Sequence, residues 1–271
     1  MTDYRQTVGE RLRDWRQRRG YSQLSLALEA EISQRHLSFV ESGRSQPSRD
    51  MILRLAEQLR IPLRDRNALL LAGGYAPAFP ERALAAPELE AARAVIDRIL
   101  SGHDPHPALA VDRHWTLLSA NRAVGLLLQG VAPHLLEGPV NVLRLSLQPK
   151  GLAPRILNYK AWRNHILARL SHDIEVSADP FLVTLFDEIR SYPVPSQALG
   201  DTSPSVQAPA IAIPLILTSP EGPLEFLSTT TVFGTAVDVT LSDLVIESFF
   251  PANAQTTAAM SRLYEALPSD A

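Results

Sequence analysis

The sequence predicts an α+β protein in two parts, an all-α N-terminal domain of five helices followed by a larger α+β domain. Three observations carry this. Between residues 5 and 75 the apolar side chains recur at helical spacing in short, punctuated segments. Toward the C-terminus the runs "AIAIPLIL", "PLEFLSTTTVF" and "DLVIESFFP" are rich in the β-branched and aromatic residues that favour strands. Between the two lies "APAFPERALAAP", residues 76 to 87, whose three prolines read as a linker. At 271 residues the chain is long enough for two cores.

Each helix of residues 1–75 has its own signature. Val8, Leu12 and Trp15 make the first stripe, and Leu24, Ala27 and Leu28 the second. A third helix hides Leu37 and Val40 and stops at Ser42-Gly43. The fourth begins at the N-cap residue Ser48 and buries Met51, Ile52, Leu55, Ala56 and Leu59. Pro62 opens the fifth, "LRDRNALLLA", which Gly73-Gly74 ends. Residues 76–102 then form the linker and a connecting helix with Leu89, Ala92, Ile96 and Ile99 on one face.

From His103 to residue 271 the pattern changes. "PALAVDRHWTLLSANRAVGLLL" reads as strand, turn at Asp112-Arg113-His114, strand, and a helix capped near Asn121. Two amphipathic helices follow. One has Tyr159, Trp162, Ile166 and Leu170 on a face; the other is opened by Asp179-Pro180 and turns Phe181, Leu185 and Ile189 inward. Residues 192 to 209 are a Pro/Ser-rich loop able to act as a lid, and after the C-terminal strands a helix near Ala254 to Leu267 closes the chain.

Composition narrows the function. There is no cysteine, so neither disulfides nor a Cys-based zinc site are available. No apolar run approaches the roughly 18 residues of a membrane span, and the charged "MTDYRQTVGERLRDWRQRRG" is unlike a signal peptide, so the expected location is the cytoplasm with no membrane partner. Residues 1 to 75 hold 13 Arg against 9 Asp/Glu, a net +4, while the whole chain carries -3, leaving -7 for the rest. A basic front and an acidic rear point to different partners. Catalysis is not expected. Ser171, His172 and Asp173 are helix neighbours that cannot form a nucleophilic relay, "HDPH" at His103 to His106 reads as a polar loop rather than a metal site, and no phosphate-binding or dinucleotide glycine motif occurs. No cofactor is expected.

The stretch "SQLSLALEAEISQRHLSFVES" reads as a helix-turn-helix, with Ala27 small where two helices cross and Ile32 in the turn. Ser33, Gln34, Arg35, Ser38 and Phe39 then face outward. Residues 5 to 75 resemble the phage-repressor-like, Xre-family DNA-binding domain, on these residues together with Gln23, Glu41, Gly43 and "RSQPS". The resemblance implies that the third helix enters the major groove of duplex DNA, that Gln34, Arg35 and Phe39 contact bases with Ser33 and Ser38 close by, and that Gln23, Arg44 and Arg49 meet phosphates. Glu31 departs from the family pattern, which has Gly in that turn. A positive φ there would cost Glu on the order of 1 kcal/mol.

"VDRHWTLLSANRAVGLLL" is similar to the opening of a PAS-type sensor domain. With "NVLRLSLQPKGL" and "FGTAVDVTLSDLVIESFFPAN", the chain resembles the MmyB-like regulators, which implies a PAS-like ligand-binding domain for fatty-acid-type ligands. From the residues themselves, Trp115, Trp162, Phe181, Phe226 and Phe233 are candidates to line an apolar pocket, and Arg144 or Arg163 to meet a ligand carboxylate. The expected partners are a double-stranded operator, a small amphiphile and a second copy of the chain. The competing reading is an antitoxin-like or protein-interaction module on the same helical fold, with a C-terminal domain that only dimerises.

Overall fold

The structure, a computed structural model, describes residues 6–196 and 213–267. The chain divides into two compact units. One runs to Ala83 and also takes in Gly234–Ser242; the other comprises Leu84–Phe233 and the chain from Asp243 onward.

The first unit is built on α1 (Val8–Arg18), α2 (Gln23–Glu29), α3 (Gln34–Glu41), α4 (Arg49–Gln58) and α5 (Leu63–Ala72). Hydroxyl caps start four of them. Thr7 and Glu10 form a reciprocal capping box on α1, and Ser22, Ser33 and Ser48 each accept an N–H of the first turn of α2, α3 and α4. Leu12, Leu26, Leu37, Ile52, Leu55 and Leu70 form a dry core. Gly9 lets α1 approach α3, because a Cβ there would lie 2.2 Å from the Val40 carbonyl oxygen.

One expectation is overturned here. Leu24 and Leu28 are 53% and 70% exposed, and α2 packs instead through Leu26, Ala27 and Ala30. The spacing gave the period of this seven-residue helix but not its phase. The chain after α5, read as a linker, is held by hydrogen bonds. Asn67 accepts the N–H groups of Ala78 and Phe79 at 2.9 and 3.0 Å and donates to the Phe79 carbonyl at 2.7 Å. The segment Gly234–Ser242, which contains a short helix at Val239–Ser242, completes this unit. Its buried Val239 donates its N–H to the Pro80 carbonyl, and Asp238 pairs with Arg82 at 2.9 Å.

The second unit begins with α6 (Glu90–Ser101), followed by β1 (Ala108–Val111), β2 (Leu117–Ala120), α7 (Arg122–Leu127), α8 (Val142–Leu147), α9 (Tyr159–Ser177), α10 (Pro180–Ser191), β3 (Leu215–Leu217), β4 (Leu224–Val232), β5 (Val245–Pro251) and α11 (Ala254–Glu265). The strands form one antiparallel sheet in the order β2-β1-β5-β4-β3. The chain is thus α+β, with a PAS-like arrangement of sheet and intervening helices.

Strand alternation sorts the two faces of the sheet. Ala108, Ala110, Leu244 and Ile246 cluster with Ile96 and Leu100 of α6, where small alanines leave room for a helix. Their neighbours Leu109, Val111, Val245 and Phe249 belong to the larger core with α7 to α10. Ile99, expected on the inner stripe of α6, is 37% exposed and Leu100 takes its place. Asn121 stands at the N-cap position of α7 without capping it. Its amide instead accepts Ala108 N–H and donates to the Leu100 and His106 carbonyls, locking the start of β1. On α10, Asp179 caps as expected, but Phe181 is 37% exposed while Leu182 is buried. Most of the Pro/Ser-rich loop expected at 192 to 209 lies outside the described residues.

Candidate functional site

The exposed end of α3 is set from behind by one carboxylate. Glu41, 2% exposed, accepts two hydrogen bonds from Arg16 of α1, at 2.6 and 2.9 Å, and one from Gln23 of α2 at 2.8 Å. Three helices are thereby tied to one side chain. Burial pushes the Glu41 carboxyl up, and Arg16, Gln23 and Arg13 more than offset it, so it titrates below the usual carboxylate range. Between α2 and α3 the backbone turns at Glu31 with φ 54°, so the left-handed geometry is present at the position where glycine was absent. Ser33 Oγ accepts His36 N–H at 3.1 Å, and the first turn presents Gln34 and Arg35 to solvent. The guanidiniums of Arg35 and Arg44 lie 5.4 and 5.8 Å from the centre of the Phe39 ring, which steadies two mobile cations on one aromatic anchor.

The second unit contains a cavity of about 280 Å³ between the sheet and α7, α8 and α9. Its wall is apolar over most of its extent, with Trp115, Val124, Leu143, Trp162, Ile166 and Phe249 among its residues. Ionic groups interrupt it at one place. Arg169 of α9 donates to both oxygens of Glu247 of β5, at 2.5 and 3.0 Å, and to Thr230 Oγ1 at 2.9 Å. Its guanidinium stacks 4.5 Å from the centre of the Trp115 ring, while the Trp115 indole N–H donates to Asp173 at 3.3 Å. Trp115 has φ 64°, a conformation a bulky residue adopts only when its surroundings impose it. Here the Asp112 side chain accepts the N–H groups of His114 and Thr116, both at 2.8 Å, and fixes the turn. Burial raises the Asp173 carboxyl above its ordinary range against the pull of Arg169 and the indole.

The MmyB-like transcription regulator ligand binding domain matches residues 92–263, well over half of the chain. The chain belongs to the MmyB-like transcription regulators. A helix-turn-helix family matches residues 12–65, which span α1 to the start of α5. No curated protein matches the chain. This MmyB-like regulator therefore combines a DNA-binding domain with a ligand-binding domain, and no helix among its described residues is long and apolar enough to cross a membrane.

In the regulator's first unit, Ser33, Gln34, Arg35, Arg44 and Arg49 are exposed, and Ser38 and Phe39 are half-buried on α3. Gln23 is partly committed elsewhere, since one amide N–H is held by Glu41. In the second unit Trp115 and Trp162 are on the cavity wall; the other five candidates are not. Arg144 is clamped by Glu188 at 2.7 to 3.0 Å and lies near Phe181, which itself stacks on His114. Phe226 is wholly buried against Phe249, Phe233 packs toward α6 on the opposite sheet face, and Arg163 donates to the Arg190 carbonyl. Sequence reasoning missed Arg169 and Glu247. The available signal was helical spacing: Arg169 stands three residues beyond Ile166 and seven beyond Trp162, on the stripe that meets the sheet. Glu247 alternates with Val245 and Phe249 on a buried strand, where an unpaired acid would be costly.

Proposed function

We propose that this transcription regulator reads a specific duplex operator as a homodimer in the cytoplasm, and that a fatty-acid-like amphiphile in the cavity alters its operator affinity. The observation that carries the DNA reading is the exposed first turn of α3, where Gln34 and Arg35 face solvent while Glu41 fixes the helix behind them. Arg and Gln side chains in that position can bond base edges bidentately, with Ser33, Ser38 and Phe39 alongside. Arg44 and Arg49, and the remaining N–H of Gln23, suit phosphate oxygens. One short helix reads few base pairs, which favours two copies on a two-fold site. Selection from random duplexes tests this. Arg35→Ala is expected to cost about 1 to 3 kcal/mol and relax preference at one base position, whereas Arg44→Ala weakens all sequences alike. Recovery of no preferred sequence sinks the reading and favours the protein-interaction alternative.

The cavity supports the amphiphile reading. Its volume corresponds to about nine water-sized groups, enough for a chain of about eight to ten carbons. Its wall is mostly apolar with a few polar groups, among them the Arg169–Glu247 pair, which suits a single-chain amphiphile. Coupling to the DNA-binding unit has a covalent route, because β4 and β5, which contribute Ser228, Glu247 and Phe249 to the wall, are joined through Gly234–Ser242. Non-enzymatic regulation fits this arrangement, whose wall is mostly apolar.

A further inference from the structure

The ionic pair in the cavity wall is already neutralised internally, Arg169 against Glu247. Glu247 is 4% exposed, and its two oxygens accept Arg169 Nη2 at 2.5 Å, Arg169 Nη1 at 3.0 Å and the Thr230 hydroxyl at 3.0 Å. Arg169 has spent three of its five N–H groups on Glu247 and Thr230, so two donors remain without a partner among the described residues. Glu247, with about four acceptor sites, has one left. The pair therefore offers donors and an acceptor side by side, with no net charge.

We propose that the Arg169–Glu247 pair selects, among single-chain amphiphiles, those with an uncharged head group that both donates and accepts a hydrogen bond, such as a fatty alcohol or primary amide, over the ionised fatty acid. This rests on the amphiphile reading above. A hydroxyl or amide can accept from Arg169 and donate to Glu247, satisfying both. A carboxylate can only accept. It meets Arg169 with the Glu247 carboxylate beside it, and Asp173 is one indole away behind Trp115. Displacing Glu247 from Arg169 does not help, because it would strand a buried acid with Thr230 alone. An ammonium head has the opposite fault, since Arg169 repels it.

Because Trp115 and Trp162 both line the cavity, tryptophan fluorescence of the full chain reports occupancy, with calorimetry as a second readout. The probes are decan-1-ol, decanamide and decanoate at about pH 7.5, where a carboxyl is ionised. The expected result is that the alcohol and amide bind at least tenfold more tightly than decanoate, a difference of about 1.4 kcal/mol. Glu247→Gln removes the negative charge while keeping the shape, and should narrow that gap by improving decanoate. Decanoate binding as tightly as the alcohol to the unaltered protein overturns the head-group selection and leaves the amphiphile reading intact. An unchanged gap in a folded Glu247→Gln protein also overturns it, by removing Glu247 as its cause. If none of the three probes binds, both readings fail together. Should Glu247→Gln not fold, the comparison on the unaltered protein decides alone.

Discussion

Glu31 holds a left-handed backbone conformation, φ 54°, between α2 and α3, where its Cβ crowds the neighbouring carbonyl. Glu31→Gly should therefore raise the melting free energy of the first unit by up to about 1 kcal/mol, less the extra chain entropy of glycine, without altering operator preference. Chemical denaturation of both proteins checks this, and a loss of stability would place the strain elsewhere. The position was legible in the sequence because turn chemistry is local: a missing glycine is visible without any tertiary structure. Residues whose role depends on partners far along the chain were not. Arg169 meets Glu247 across 78 positions; helical spacing puts it on the inward stripe of α9, but nothing local names its partner, as nothing local names Glu188 for Arg144 or the Arg190 carbonyl for Arg163.

At the scale of elements, Glu41 ties α1, α2 and α3 through Arg16 and Gln23. Removing one partner of a buried pair leaves the other charge uncompensated, so Glu41→Ala should cost about 3 to 5 kcal/mol and lower operator affinity through the unfolded fraction. Its titration has a definite sign. The folded carboxyl titrates below its unfolded value near 4.5, so its contribution is present above that pH and disappears as pH falls through the lower folded value. Asp179 behaves alike in the second unit. Burial raises it, and the His114, Phe181 N–H and Arg113 contacts bring it down to about 2, so its stabilisation fades between about pH 4 and 2. Acid titration followed by circular dichroism should show Glu41→Ala losing part of the acid dependence of helix content that the unaltered chain has. The helices and strands themselves were readable, since period and caps are local. Phase was less so. Leu24, Leu28, Ile99 and Phe181 were assigned inward and are exposed, because which face of a short helix is buried depends on its neighbours.

At the scale of the whole molecule, the chain leaves the ligand-binding unit at Phe233 and re-enters it at Asp243, having contributed Gly234–Ser242 to the helical unit. Within that unit Asp238, 3% exposed, accepts Arg82 Nη1 and the Thr240 N–H, both at 2.9 Å. Asp238→Ala should leave ligand affinity and operator preference as they were while reducing the effect of ligand on DNA binding. Measuring operator affinity of this variant with and without decan-1-ol checks it, and full retention of the ligand effect would move the coupling to another connection. This link was invisible in the sequence, where "FGTAVDVTLSD" simply joins two strand-like runs.

On the reading proposed above, occupancy of the cavity in one unit changes what α3 does in the other. Fluorescence anisotropy of a labelled operator from the random-duplex selection, titrated with the full chain in the presence and absence of saturating decan-1-ol or decanoate, tests it most directly. A coupling of about 1 to 3 kcal/mol predicts a change in operator affinity of about 5- to 150-fold with whichever probe fills the cavity. An affinity that stays constant while tryptophan fluorescence shows the cavity filled would contradict the account.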